Sequence, residues 1–428
     1  MVQALAHDDW TIEKLVPGGA GMARLPDGRV GFARGAWPGE VVRVTRAREH
    51  KSHREAEQLE VIRSAEERVA PPCPYANTCG GCDWMALDLG AQRENKRALL
   101  KQALERTGGF RALPEIRLFH AGPALGYRDR LRLQVSASGV LGFHAHHTRE
   151  VVPIEACLVA EPKLEAALEA LLALAKSHAS AFTAFESLEL RVTDQDDVAL
   201  LRVELAPGAN LGTGAVRELL ELLNARFAVS VAGRREPLAQ RFELPGGTSL
   251  RVPADAFVQV NWAVNRILVE AVVEGARERA IRTFCDLYGG SGNFTLPLLR
   301  AGLEGTLVEG HPGAVNAARR SAVEQELGGE FVAADVKAGL SRLLKRRRRF
   351  DLVLLDPPRS GALEIVELIA ELGAPHVAYV ACDPVTLARD LKKLAARGYE
   401  LESASVFDMF PQTHHFESLA WLRAAPRA

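Results

Sequence analysis

Asp286-Leu-Tyr-Gly289-Gly-Ser-Gly292-Asn293-Phe294 is the stretch on which the fold turns. The run that leads into it, RTFCDLY, reads as a buried strand, and the residues after it read as helix. Its glycines therefore let backbone pass close beneath a nucleoside-bearing ligand at the carboxyl end of a strand. Outward from there the pattern repeats. TLVEG, FVAAD, DLVLLD and HVAYVAC are short apolar runs separated by helical stretches, which implies a doubly wound α/β sheet from about residue 250 onward. As a dinucleotide fingerprint the loop fails, because Thr295 stands where G-x-G-x-x-G needs its third glycine. A nicotinamide enzyme is the weaker alternative. Glu309 ends the second strand and Asp335 the third, and acids at these places, with Asp286, suit the ribose and adenine of S-adenosylmethionine, which carries no phosphates. Each acid alone is more often a solvated strand-end or cap residue; three together are less often accidental.

The whole chain of 428 residues balances Lys+Arg 53 against Asp+Glu 54, with 47% hydrophobic and 25% charged residues. Such composition excludes a disordered, fibrous or uniformly basic protein and, at roughly 100 to 200 residues per domain, suggests two to four domains. The start, MVQALAHDDW, has no basic segment followed by an apolar one, and no run of 18 apolar residues occurs, so a cytoplasmic chain with no membrane partner is expected. Six cysteines in a reducing compartment are to be read as metal or catalytic residues.

Upstream of the α/β pattern lie two further units. Residues 8–65 alternate β-rich runs with glycine turns and read as a small β-barrel, with Pro26-Asp27-Gly28 as a hairpin signal. Arg43, Arg46, Arg48, Lys51 and Arg54 there face only Glu49; they either protect a strand edge or contact RNA. Residues 66–245 hold a Pro/Gly/Cys-rich loop, a basic amphipathic helix over 91–110 that can pack on the catalytic domain, and a central α+β domain. Residues 246–428 form the catalytic domain. Residues 91–132 hold ten basic residues against four acidic, a local surplus that predicts phosphate contacts. Cys73, Cys79 and Cys82 form C-x5-C-x2-C, and Cys157 is the plausible fourth ligand, since Cys285 and Cys382 lie in the α/β domain. Four thiolates suit a [4Fe-4S] cluster or a tetrahedral zinc; a close triplet with a remote fourth is the more typical iron-sulfur pattern.

The chemistry-bearing residues gather at strand ends. Asp356-Pro-Pro-Arg359-Ser-Gly361 ends the fourth strand, in a D-P-P pattern common to methyltransferases acting on planar nitrogen or carbon. Cys382 ends the next. A free cysteine is often just a small buried hydrophobe, but here an Asp-Pro turn follows and a helix amino-terminus should favour thiolate. Glu417 closes the run Asp408-Met-Phe-Pro-Gln-Thr-His-His-Phe-Glu417 and is a candidate base if buried against its aromatic neighbours. Together they suit one reaction. Carbon 5 of uracil is a poor nucleophile until a thiolate adds at carbon 6; after methyl transfer a base must take the carbon-5 proton so that the thiol can leave.

From end to end these motifs resemble the RNA uracil-C5 methyltransferase family, which makes 5-methyluridine: F-x-Q (Phe257, Gln259), the 286–294 loop, V-E (Val308, Glu309), Asp335, D-P-P-R-x-G, Y-V-x-C-x-P, and D-M-F-P-x-T-x-H-x-E. L-x-x-x-G-x-G-x-A-R (Leu15 to Arg24) with G-x-V-x-F and G-A-x-P-G-E resembles the TRAM domain, an OB-like RNA-binding barrel. The resemblance implies a multidomain α/β protein: TRAM barrel, central α+β domain with a four-cysteine cluster, and a C-terminal Rossmann-like class I methyltransferase. It implies that Gln259, Tyr288, Asn293, Glu309, Asp335 and Asp356 bind S-adenosylmethionine, that Phe257 stacks on the target base, that Cys382 is the nucleophile and Glu417 the base, and that Cys73, Cys79, Cys82 and Cys157 hold a [4Fe-4S] cluster with a structural, RNA-positioning role. Barrel and cluster together look like the 23S rRNA branch, with a monomer acting on RNA before full ribosome assembly. A tRNA target and a non-catalytic RNA chaperone are the alternatives. The sequence departs from the family at Gly290, Ala381, Asp383 and Met85.

Overall fold

The computed structural model describes residues 8–146, 148–209, 214–233 and 238–425. The chain opens with β1 (Asp8–Thr11), β2 (Lys14–Leu15), β3 (Gly21–Arg24), β4 (Val30–Ala33), β5 (Val41–Glu49) and β6 (His53–Arg63), in one sheet of order β1-β5-β6-β4-β3-β2. Segment 8–15 closes the sheet on itself: β1 pairs with β5, β2 pairs with β3, and between them Glu13 N donates to Met22 O (2.8 Å). Pro26-Asp27-Gly28 makes the β3–β4 turn, with Gly28 at φ 82. Trp10, Ile12, Ala23, Leu25, Ala33, Val42 and Val44 fill the interior.

A second sheet comes after helix α1 (Leu89–Arg106) and strand β7 (Ile116–Phe119). It contains β8 (Arg130–Val135), β9 (Leu141–His144), β10 (Val151–Pro153), β11 (Phe185–Arg191), β12 (Leu200–Leu205) and β13 (Ala228–Val231), in the order β10-β9-β8-β11-β12-β13. Helices α2 (Pro162–Ser177), α3 (Ala179–Phe182) and α4 (Gly214–Asn224) cover it. Leu164, Leu168 and Leu171 of α2 recur at helical spacing and are fully buried against Leu188, Leu190 and Val203 of the sheet.

The third sheet has eight strands in the order β18-β17-β16-β19-β20-β22-β21-β7. Before it come the hairpin β14 (Ala239–Leu244) and β15 (Thr248–Pro253) and helix α5 (Trp262–Glu278). Then β16 (Thr283–Leu287), α6 (Thr295–Arg300), β17 (Glu304–Glu309), α7 (Pro312–Glu324), β18 (Glu330–Ala333), α8 (Val336–Lys345), β19 (Leu352–Leu355), α9 (Val366–Leu372), β20 (His376–Ala381) and α10 (Pro384–Ala395) alternate, and β21 (Tyr399–Phe407) and β22 (Glu417–Ala424) end the chain. All four residues of β19 are buried, as a parallel strand covered on both faces requires. One face carries α1, α8, α9 and α10; the other carries α5, α6, α7 and the β14–β15 hairpin.

Two features depart from the plan the sequence suggested. Strand β7, within 66–245, pairs in parallel with β21 and so extends the C-terminal sheet, while the 245/246 boundary falls inside the β14–β15 hairpin, whose apolar side joins the core beneath that sheet. The basic surplus of 91–132 is also partly buried or paired. Lys96 is wholly buried with Asp408, Arg93 pairs with the same carboxylate, and Arg132 pairs with Glu204. Among the described residues no helix is long and apolar enough to cross a membrane.

Candidate active site

The carboxyl ends of the parallel strands bring the cofactor loop together. Tyr288 takes φ 61, a left-handed conformation costly for a side-chain-bearing residue, and its N–H and that of Gly289 donate to Val308 O (3.0 and 3.3 Å). Asp286 is fully buried; its Oδ2 accepts from Thr295 Oγ1 (2.5 Å), while Oδ1 has no partner. Thr295, the residue that breaks the dinucleotide pattern, thus serves this acid. Burial raises the Asp286 carboxyl to about 7. Glu309 is oriented from both sides, accepting from Gly290 N (3.1 Å) and His311 N (2.7 Å). Asn293 exchanges hydrogen bonds with Asn265 of α5 (3.0 and 2.8 Å), a partner the motif did not reveal. Gln259 is buried with Oε1 unpartnered. Asp335 caps α8, accepting from Ala338 N (3.1 Å).

Cys382 and Glu417, the expected nucleophile and base, meet through strand register. Ala381 of β20 is opposite Ser418 of β22 in an antiparallel ladder, so one step further sets Cys382 level with Glu417. Asp356 leaves β19, the strand next to β20, at the same rim. Burial lifts its carboxyl to about 7. Glu417 is 4% exposed, with Oε2 unpartnered; burial and then Asp356 push it well above the usual carboxylate range, with Arg359 opposing.

The thiol differs from expectation. Burial, then the neighbouring Glu417 charge, push Cys382 up to about 12, with Arg359 opposing. The first amides of α10 are taken up by the Asp383 side chain, which accepts from Val385 N (3.0 Å) and Thr386 N (2.7 Å). In this state the thiol is held neutral, and Arg359 is the cation placed to favour its ionisation.

The four cysteines line one cavity of about 550 Å³, which also reaches Arg128, Arg359, Phe410, His414 and His415. Met85, Tyr127 and Val159 form its apolar support. Gly81 N points at Cys79 Sγ (3.4 Å). A tetrahedral zinc with bonds of about 2.3 Å would need sulfurs about 3.8 Å apart. Among the described residues no three of these sulfurs lie within 4.8 Å of one another; the group that does is His50, His53 and Glu55. The cavity that the four thiols line has room for a cluster as well as for a single ion. Asp83, next to Cys82, bonds His414 through Nδ1 (2.6 Å), and Trp84 Nε1 donates to Gly19 O (3.1 Å), so the cysteine loop joins the N-terminal sheet to the rim. A Cβ on Gly19 would lie 2.8 Å from His414, which explains glycine there.

Phe257 is 67% exposed, with the Arg130 guanidinium over its ring at 5.5 Å. The turn before it is gripped by buried Arg191, which donates to Pro253, Ala254 and Ala256 carbonyls (3.2 to 3.3 Å). Sequence reasoning missed Asn265, Arg191, Asp83 and the burial of Lys96; only Asp83 carried a signal, its place directly after C-G-G-C.

Residues 334–425 match the tRNA (Uracil-5-)-methyltransferase family model. The 23S rRNA (uracil(1939)-C(5))-methyltransferase of Chromohalobacter salexigens is 35% identical over 98% of this chain and 90% of its own length. That of Alkalilimnicola ehrlichii is 36% identical over 92% of each. This chain belongs to the RNA uracil-C5 methyltransferase family. Within the family its fold is shared with the Pyrococcus abyssi tRNA (uracil-54, C5)-methyltransferase, at a TM-score of 0.73 and 24% identity over 97% of this chain and all of that one. That likeness is one of fold. The departures from the family pattern have local accommodations. Gly290 takes φ 54, Asp383 caps α10, and Met85 packs behind the cysteines.

Proposed function

We propose that the protein methylates carbon 5 of uridine in 23S rRNA with S-adenosylmethionine, through a covalent Cys382 adduct. Membership of the family supports the reaction class, and identities of 35 to 36% to rRNA enzymes over nearly the whole chain support the target. The observation that carries the mechanism is the register that sets Cys382 against Glu417, with Asp356 beside them. A tRNA target is the second reading, favoured by the shared fold of the tRNA enzyme.

Gln259, Tyr288, Asn293, Glu309, Asp335 and Asp356 would hold the cofactor. The unpartnered buried oxygens of Gln259, Asp286 and Glu417 and the uncompensated acids fit a cationic, hydroxyl-bearing ligand. When bound, S-adenosylmethionine supplies an electrophilic methyl group. Phe257 stacks on a uracil flipped from the RNA. The Cys382 thiol gives its proton to solvent, with Arg359 favouring the anion, and the thiolate adds to carbon 6, which turns carbon 5 into a nucleophile toward that methyl. Glu417 then takes the carbon-5 proton; the C–H electrons form the carbon 5–carbon 6 double bond, and the thiolate leaves. Arg359 favours the anionic thiol and restrains the base.

Residues 8–65 act as a TRAM-like RNA-binding domain. Cys73, Cys79, Cys82 and Cys157 hold a [4Fe-4S] cluster that staples the loop to the rim and requires no redox step. A cytoplasmic monomer acting on RNA before full ribosome assembly completes the proposal. With carbon-5-tritiated 23S rRNA, the protein releases tritium and forms 5-methyluridine; release from tRNA alone would move the assignment to the second reading, and release from neither would reject both.

A further inference from the structure

A polar network gathers on the connection 408–416, which joins β21 to β22 and delivers Glu417. Phe407 at one end is paired in register with Glu417 at the other, so the path of the connection fixes where that carboxyl lies. Helix α1 grips it from outside the C-terminal sheet's own sequence. Lys96 Nζ donates to Asp408 Oδ1 (2.6 Å) and to Phe410 O (2.9 Å), and both charged side chains are fully buried. Gln92, itself 1% exposed, accepts from Gln412 N (2.8 Å) and donates to Gln412 Oε1 (3.0 Å). Gln412 sits at φ 70, a conformation a side-chain-bearing residue keeps only when its surroundings hold it. Around this grip, Tyr127 Oη donates to Pro411 O (3.0 Å), Asn261 Nδ2 to Met409 O (3.2 Å) and Asp408 N to Phe119 O (2.8 Å).

A buried lysine and a buried glutamine on a helix otherwise facing solvent or apolar core are expensive to keep, since each needs its partners in place. Here both Lys96 hydrogen bonds go to the connection that carries the base, and Gln92 ties the same connection to Trp84 O (3.1 Å) and Leu87 O (2.8 Å). We propose that Gln92 and Lys96 are positioning residues that hold the 408–416 connection so that Glu417 reaches the carbon-5 proton of the methylated adduct. This inference rests on the reading of Glu417 as the base. It assigns α1 a part in the elimination step rather than in RNA binding, the role its basic composition suggested.

Elimination can be isolated because it is the last step. If the carbon-5 proton stays, the sulfur–carbon 6 bond stays, and protein remains linked to methylated RNA. The test uses full-length holoenzyme, unmodified substrate RNA and S-adenosylmethionine, and reads the detergent-stable protein–RNA adduct beside turnover. Glu417→Gln is the reference and should accumulate adduct. Gln92→Leu and Lys96→Met are expected to lower kcat about tenfold or more, with KM for the cofactor little changed, as misplacement of a reacting group does. Their steady-state adduct should rise severalfold above that of the unmodified protein, and Lys96→Arg should restore part of the turnover. Gln92→Leu strands no buried charge and keeps the test open if Lys96→Met does not fold. Adduct at the unmodified level in Gln92→Leu, with turnover unchanged or falling only with the folded fraction, would overturn the proposal. No adduct in Glu417→Gln would instead remove the reading of the base.

Discussion

The N-terminal sheet and the rim of the C-terminal sheet handle charge in opposite ways. On the sheet, Arg43 meets Asp9, Arg46 and Arg48 share Glu57, and Arg54 meets Asp8 and Glu49, all at the surface. At the rim, half-buried Asp356 raises both buried Asp286 and buried Glu417, and the cation acting on Glu417 and Cys382, Arg359, is exposed. Paired surface charges contribute little and satisfy themselves. Acids kept uncompensated away from water persist where a ligand is to complete them. The first pattern belongs to a scaffold, and the second marks a site for a cation, which the sulfonium cofactor is.

The largest effect that can break this contrast lies at the rim itself. Cys382→Ala should abolish tritium release while leaving cofactor binding within about twofold, because it removes the nucleophile and no acid; retained turnover would end the covalent route. Next, Asp356→Asn should weaken S-adenosylmethionine by about tenfold or more, a cost in line with an opposite charge lost from a desolvated site, and weaken uncharged S-adenosylhomocysteine less. Equal losses for both ligands would show that the acid does not answer the sulfonium charge. A gentler probe is pH. Asp286 and Asp356 titrate near 7 in the free protein, so they are largely protonated at pH 6 and ionised at pH 8. A cationic ligand prefers the ionised acids, and S-adenosylmethionine affinity should therefore rise from pH 6 to 8, with proton release in calorimetry near pH 7. A flat profile would remove the contrast. The smallest effect belongs to the paired arginines. Arg46→Ala should leave the salt dependence of RNA binding almost unchanged, whereas exposed Arg111→Ala should lower its logarithmic slope by about 1 if it contacts a phosphate.

The rim was legible in the sequence because each motif sits at the end of a strand, and parallel strands of one sheet end together. Asp286, Glu309, Asp356 and Cys382 could be placed at one edge from the pattern alone, and Glu417 from its motif. What stayed hidden depends on distant pairing. Lys96 looks like a surface residue of a basic helix until Asp408, 312 residues away, is packed against it. Ile116–Phe119 is too short and too far from β21 to announce itself as an eighth strand. The thiol was misjudged because burial and the Glu417 charge, which push it up, come from packing and from a strand that follows it in the chain.

The proposed chemistry turns on the register that sets Cys382 opposite Glu417, and peptide mapping of the adduct tests it most directly. Glu417→Gln protein is incubated with substrate RNA and S-adenosylmethionine, digested, and analysed by mass spectrometry. The predicted result is a single linked peptide, containing Cys382 and carrying a uridine with one added methyl group. Linkage at any other residue, or none while both ligands remain bound, would contradict it.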